Sequence, residues 1–383
     1  MKILIVGTVK THPIRMGNMQ LIVEQCIFLE QMGHEVHYLY IQEGSIRSIG
    51  KSIHDDIGPM MVFWKDRLHI CPVSYISHFK STFIRYINMH FKKGYSSCDY
   101  AYHNCIHRKI NELDKLYRFD CCIVNYYYLS KALSKISISK KALLTHDCYT
   151  YRTLRTNMKV VSLKPNEEAK ALQRADYILS VQQNESIFFN YLSPKSKVLT
   201  IYANISFKSY PITYNRTILY LAGNGKFNLN GINWFIKDIF PKILKCFPDV
   251  KLLIGGKICD ELYTLDGLCD NIELLGSIDD IDDFFSKGDV FINPTYQGTG
   301  LKIKTIESIA RNKITLVHPH SLEGIYEYTI SPVFSSSLPE EWLKYLELVW
   351  GDPTFLRDVR EKNRDYITKM NTFIQHQYDD FLR

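Results

Sequence analysis

Pro294-Thr295-Tyr296-Gln297-Gly298-Thr299-Gly300-Leu301-Lys302-Ile303-Lys304-Thr305-Ile306-Glu307-Ser308-Ile309-Ala310 follows directly on the apolar run Val290-Phe291-Ile292-Asn293. A buried strand accounts for that run, and the glycines then open a loop. Beyond them Ile303, Ile306 and Ile309 recur at helical spacing, which predicts a helix over 300–311. Strand, glycine loop and helix in that order make the repeating unit of a parallel α/β sheet. Free N–H groups and the helix dipole at such a start favour an anion, above all a phosphate. Lys302, in the expected first turn, adds a cation. Glu307 lies two turns in, where a carboxylate could accept hydrogen bonds from vicinal hydroxyls such as those of a ribose. Read without its loop, an acid on such a helix is more often simply solvent-exposed.

The same order repeats on either side. Residues 218–221 read as a strand, and Ala222-Gly223-Asn224-Gly225-Lys226 leads from it toward a helix over 230–247. Glycines let a backbone approach a ligand closely and Lys226 could meet a phosphate. A tight strand-to-helix turn explains the same residues equally well. Residues 251–254 are a strand ending in Gly255-Gly256, a weak signal. A strand over 272–274 precedes Leu275-Gly276-Ser277 and Ile278. Residues 314–317 are a further strand, and 339–348 and 353–381 read as closing helices.

The amino-terminal half opens with an apolar run at 3–6, a loop over 7–17, a helix from Asn18 that ends at Gly33, and a strand at 36–41. This βαβ start predicts a parallel sheet with helices on both faces. The tract 45–118 has a strand at 67–71 and helices over 81–91 and 100–116. Further strands are expected at 122–125, 142–145, 177–181 and 198–201, with helices at 129–136, 167–174 and 184–191. His146-Asp147 stands at the carboxyl end of the 142–145 strand. Residues 204–215 lack an apolar period and read as a linker. The chain is therefore expected to form two domains, 1–205 and 206–383, with the last helix free to return to the first. Ligands of such sheets bind beyond the carboxyl ends of the strands, which places the site in a cleft between facing halves.

At 46% hydrophobic and 23% charged residues the chain can bury two cores. The apolar run 3–6 is too short for a signal peptide, and no stretch approaches the ~20 residues of a membrane span. A cytoplasmic location with reduced thiols is expected for the ten cysteines. The net charge of +7 is uneven: residues 1–210 hold 28 Lys+Arg against 16 Asp+Glu, or +12, which leaves −5 for the remainder. Two readings follow: peripheral contact with an anionic membrane or lipid-phosphate acceptor, or an ordinary solvated basic face. Nucleic acid is not an expected partner, since no recognition motif accompanies the charge. Asp279-Asp280 with Asp282-Asp283 suggests a metal less than a polar helix start, and no metal is expected.

Residues 218–325 resemble the donor domain of glycosyltransferase family 4 and its group 1 relatives. The matching segments are ILYLAGNGKFNLNGINWFIKDIFPKI from Ile218, FPDVKLLIGG from Phe247, IELLGSIDDIDDFFSKGDVFINP from Ile272 and GTGLKIKTIESIARNKITLV from Gly298. The first half agrees more loosely, through LLTHDCYTYR from Leu143 and RADYILSVQQNES from Arg174. The resemblance implies a GT-B fold, two Rossmann-like doubly wound domains facing across a cleft. It also implies transfer of a sugar from a nucleotide-diphosphate donor to a glycan or lipid-linked acceptor. It implies no further cofactor, and it implies retention of the anomeric configuration. Carried over by residue, Glu307 would bind the donor ribose, and Lys302 with the Gly300-Leu301 amides the diphosphate. Tyr296, Gly298 and Thr299 would line the donor sugar and phosphates. Gly223, Asn224, Gly225 and Lys226 would face the diphosphate from the other side, and Gly276, Ser277 and Ile278 would lie near the base. His146 resembles the histidine that faces the donor sugar from the first domain.

One departure stands out. Many relatives carry a second glutamate where this chain has Thr299, which leaves the sugar contacts open. Two other readings keep their place: a GT-B sugar-nucleotide epimerase and a non-catalytic GT-B partner subunit. A Rossmann dehydrogenase is disfavoured, because the opening loop lacks Gly-x-Gly-x-x-Gly. The setting that best fits a basic first half is assembly of a bacterial surface polysaccharide or lipid-linked glycan.

Overall fold

The computed structural model describes residues 1–14, 17–43, 57–91, 94–158, 160–202, 204–263 and 269–383. The tract read from residue 45 thus lies partly outside the described residues. The chain divides into two compact units, Met1–Asn204 with His376–Arg383, and Ile205–Gln375.

The first unit is built on seven strands: β1 (Lys2–Gly7), β2 (Glu35–Glu43), β3 (Leu68–Val73), β4 (Cys121–Asn125), β5 (Lys140–Leu144), β6 (Tyr177–Ser180) and β7 (Lys197–Thr200). All pair in parallel, in the order β3-β2-β1-β4-β5-β6-β7. The central strands are apolar at nearly every position because helices cover both faces, which is the pattern of a buried parallel sheet. Leu4, Val6, Cys122, Val124 and Leu143 join helix residues Ile106, Ile110 and Leu113 in one core. The expected helix over 129–136 is instead a run of 3-10 turns, Tyr127–Lys135.

The second unit holds β8 (Thr217–Leu221), β9 (Lys251–Gly255), β10 (Ile272–Gly276), β11 (Val290–Asn293), β12 (Ile314–Val317) and β13 (Phe334–Ser335). These too are all parallel, in the order β10-β9-β8-β11-β12-β13. Its core packs Ile218, Tyr220, Ile254 and Ile292 against Ile232, Phe235, Trp342 and Leu346. The two-residue strand β13 gave no sequence signal, since a run so short carries no period. The closing helices are Pro339–Gly351 and Pro353–Leu382, and the last residues of the second belong to the first unit.

Both sheets thus have the doubly wound α/β architecture. In each, the chain winds outward from one strand in one direction and then restarts on its other side. The switch point lies between β1 and β4 in the first unit and between β8 and β11 in the second. All ten cysteines are free thiols.

Candidate functional site

The loops after β8 and β11 leave the switch point of the second sheet side by side. The helix after β8 begins at Lys226, earlier than the 230 read from the apolar period, with Gly225 extended (φ −68°, ψ 140°) just before it. Asn228 Nδ2 donates to Gly223 O at 3.0 Å and closes the turn. A Cβ on Gly223 would meet nothing within 4 Å, and one on Gly225 only Asn228 Nδ2 at 3.7 Å. Neither glycine has the positive φ that demands one. Packing and backbone therefore leave both glycines without an internal reason. The helix's first N–H groups have no carbonyl a turn earlier to bond, so they point out of its start.

Gly231, on the same helix, does have an internal reason. A Cβ there would stand 2.8 Å from Pro294 O and 2.9 Å from Thr295 Cα. Its absence lets the helix lie directly on the chain leaving β11. Phe227 packs against Gly298, and Asn230 Nδ2 reaches Gln297 Oε1 at 3.3 Å. Gly223–Lys226 and Tyr296–Gly300 are thereby brought together. Tyr296 sits between Trp234 and His318, with ring centroids 6.2 and 5.9 Å away.

The helix expected from Gly300 starts later, at Ile303–Ala310. Gly298 (φ +114°) and Gly300 (φ +76°) hold the loop in conformations an α-helix cannot contain. Lys302 is accordingly the residue before the helix, not part of its first turn. It is buried, and its Nζ donates to Gly300 O at 3.0 Å. One residue into the helix, Lys304 Nζ donates to Asn228 Oδ1 at 2.7 Å and lies 5.1 Å from the Tyr220 ring centroid. Burial, and then the charge of Lys302, lower the Lys304 pKa to about 7. Lys304 ties the two loops together and was missed in the sequence. The Lys-x-Lys spacing straight after the glycines was the available signal.

Glu307 is not the solvent-exposed helix acid that its flanking isoleucines suggested: its side chain is only 14% exposed. Burial raises its pKa, opposed by Arg311, whose Nη2 lies 3.6 Å from Oε1. Arg311 in turn donates to Tyr210 Oη at 2.8 Å and to Asp282. Asp280 accepts from the N–H groups of Asp282 and Asp283, so this acidic run is a helix cap.

On the other side of β8, Gly256 (φ +93°) donates its N–H to Gly276 O at 2.7 Å. A Cβ on Gly256 would lie 2.3 Å from Ala222 O. Ile278 packs where a Gly255 Cβ would be. The glycine pair read as a weak signal thus seats Gly276, Ser277 and Ile278 beside the loop after β8.

In the first unit His146 follows β5 in the left-handed conformation (φ +61°). Asn125 at the end of β4 donates Nδ2 to Val6 O at 3.1 Å, which turns its Oδ1 toward His146 Nε2 at 2.7 Å. Nε2 therefore carries the proton, and Nδ1 is the acceptor atom. Burial lowers the His146 pKa to about 3, so the ring is neutral. Tyr126 stacks on it at 4.2 Å, and Asn18 Nδ2 donates to Tyr126 Oη at 2.9 Å. Asn125 and Tyr126 were not singled out as partners of His146. Tyr127 is core, and Tyr128 packs against the same cluster. Behind His146, Glu168 accepts the N–H groups of Tyr149 and Thr150, and Glu185 that of Cys148. Burial and the neighbouring Asp147 push Glu185 up to about 8.

Residues 215–331, which contain every one of the second-unit loops described above, match the family model of the glycosyl transferases group 1. The match lies wholly within the second unit. A curated protein similar to this chain is an uncharacterized 44.6 kDa protein of the cps region of Klebsiella pneumoniae. It is 23% identical over 343 residues and covers 82% of each chain. Among solved structures, sucrose-phosphate synthase from Thermosynechococcus elongatus superposes with a TM-score of 0.65 at 13% identity, covering 100% of this chain and 99% of its own. TarM gives 0.70 at 8% identity, covering 99% and 98%. HepE of Anabaena, in complex with UDP and glucose, gives 0.64 at 11%, covering 99% of each. These glycosyltransferase neighbours place the chain in the GT-B fold.

Proposed function

We propose that this chain transfers a sugar from a nucleotide-diphosphate sugar to a glycan or lipid-linked acceptor in the assembly of a bacterial surface polysaccharide. The observation that carries the reading is the pair Gly223 and Gly225. They are glycines that neither backbone nor packing requires, at a helix start, facing a loop that supplies Lys302 and Lys304. A polyanion drawn close to the backbone explains them; a tight turn does not. The diphosphate lies against the loop amides and the lysines, and Glu307 accepts the ribose hydroxyls. In the transition state, charge builds on the leaving diphosphate as its bond to the anomeric carbon breaks. Preorganised N–H groups and cations there lower the barrier without reorganising. His146, neutral and presenting Nδ1, can accept a hydrogen bond from a sugar hydroxyl but cannot supply positive charge. The family likeness favours retention, and Thr299 leaves room at the sugar. The K. pneumoniae relative, from a cps region, supports a polysaccharide setting, and HepE with UDP and glucose supports a nucleotide-sugar donor.

The test is turnover of a panel of nucleotide sugars with and without a glycan acceptor, followed by mass spectrometry and by NMR of the new anomeric centre. Acceptor-dependent transfer with retained configuration is expected. Sugar-nucleotide turnover that ignores the acceptor would assign an epimerase instead. Binding without any turnover would assign a partner subunit.

A further inference from the structure

The helix Tyr75–Phe91 of the first unit faces the wrong way for a helix that serves only its own core. Ile76 is 84% exposed, and Phe79, Phe83, Tyr86 and Phe91 are 55–78% exposed. Its buried positions include the polar Ser81 and Asn88. Asn88 Nδ2 donates inward to Ser96 Oγ at 2.8 Å, and Ser81 Oγ to His78 O at 2.9 Å. At ~100° per residue, Ile76, Phe79, Phe83 and Tyr86 share an arc of about 80°. From Ile76 to Tyr86 the stripe is about 15 Å long at ~1.5 Å per residue. Phe79 stacks on Phe83, and His90 on Tyr86, so two aromatic pairs follow one another along the helix. An ordered, exposed apolar face of this length marks a surface that is covered in use.

Charge decides what covers it. Between Arg67 and Cys98 the sequence holds Arg67, Lys80, Arg85, Lys92 and Lys93 and no Asp or Glu. Lys80 is exposed beside Ile76 at the edge of the stripe, and Arg85 is exposed farther round the helix. Among the described residues no helix is long and apolar enough to cross a membrane. An exposed aromatic stripe edged by Lys80, on a segment that is basic and free of carboxylates, suits a helix lying in the headgroup layer of an anionic bilayer.

We infer that Tyr75–Phe91 docks this chain onto anionic membrane by burying Ile76, Phe79, Phe83 and Tyr86 among the headgroups, with Lys80 on a lipid phosphate. The inference is independent of the donor chemistry. It is tested by co-sedimenting the full-length protein with vesicles of phosphatidylglycerol and phosphatidylcholine, and with phosphatidylcholine alone. The expected result is binding to the anionic vesicles at least tenfold tighter than to the neutral ones. F79S/F83S should lose at least tenfold in that binding, and K80E should weaken the preference for anionic lipid, both with an unchanged melting profile. If F79S/F83S fails to fold, I76S carries the same test. Wild-type protein that stays in the supernatant overturns the inference, as does F79S/F83S (or I76S in its place) binding as well as wild type. So does a dimer in sedimentation velocity that the same substitutions split, because the face then covers a second copy.

Discussion

Lys304 is where side-chain chemistry and ligand charge meet most directly. Its charge is penalised by burial and by Lys302, so in the unliganded protein it titrates at about 7. A bound diphosphate favours the charged form and raises that pKa. The sign follows: nucleotide affinity is greatest below about pH 7, where Lys304 is already charged, and weakens as pH rises toward the bound-state value. The fall can reach about tenfold per pH unit, because protons are then taken up on binding. Calorimetry in buffers of different ionisation enthalpy should register that uptake at pH 8, and Lys304→Met should remove it. At His146 the expectation is the reverse. With its pKa near 3, it gives no acidic limb to kcat/KM between pH 5 and 8. A limb that vanished in His146→Ala would contradict the neutral ring. The glycine loop and the helix that carries Glu307 were legible because their spacing is local. Lys304, Arg311 and Asn125 were not, because their partners Asn228, Asp282 and His146 are distant in sequence and nothing in a linear pattern joins them.

Among the elements, the strands were the most legible, because a sheet covered on both faces is written as continuous apolar runs. Helix starts were less so. The start after β11 is set by the positive φ of Gly298 and Gly300, and that after β8 by the turn that Asn228 closes on Gly223 O, neither of which an apolar period records. The two shifted starts, at Lys226 and Ile303, moved Gly225 and Lys302 to the positions just before the helices. Gly231 shows how such packing makes a site. Gly231→Val places methyl groups into the backbone of Pro294 and Thr295, which should cost about 1–3 kcal/mol in chemical denaturation. It should also weaken nucleotide binding by prising the two loops apart. Gly256→Ala should cost a similar ~1–3 kcal/mol from its positive φ and its approach to Ala222 O. Gly223→Ala, by contrast, meets no neighbour and should leave stability within about 0.5 kcal/mol of wild type while reducing nucleotide affinity. Equal stability and equal affinity in Gly223→Ala would return that glycine to an ordinary turn.

At the scale of the whole molecule, each unit has its own sheet and core, and all the loops proposed to hold the nucleotide belong to the second. Ligand binding should therefore act on one unfolding transition. A nucleotide at 100 times its dissociation constant stabilises the unit that binds it by ~2.7 kcal/mol, or about 5–10 °C for a unit of this size. Scanning calorimetry should show that shift in a single component. The two-unit plan was readable because strand-loop-helix order restarts after residue 215, a signal that survives errors in individual elements. The outward-facing helix Tyr75–Phe91 was not, because a sequence period shows an apolar face without saying which way it points. The most direct measurement is isothermal titration of the full-length protein with nucleoside diphosphates. The account predicts binding of one of them, with Lys302→Ala and Glu307→Ala each weakening it more than tenfold at an unchanged melting temperature. Unchanged affinity in both variants, or no binding by the folded wild-type chain, would contradict it.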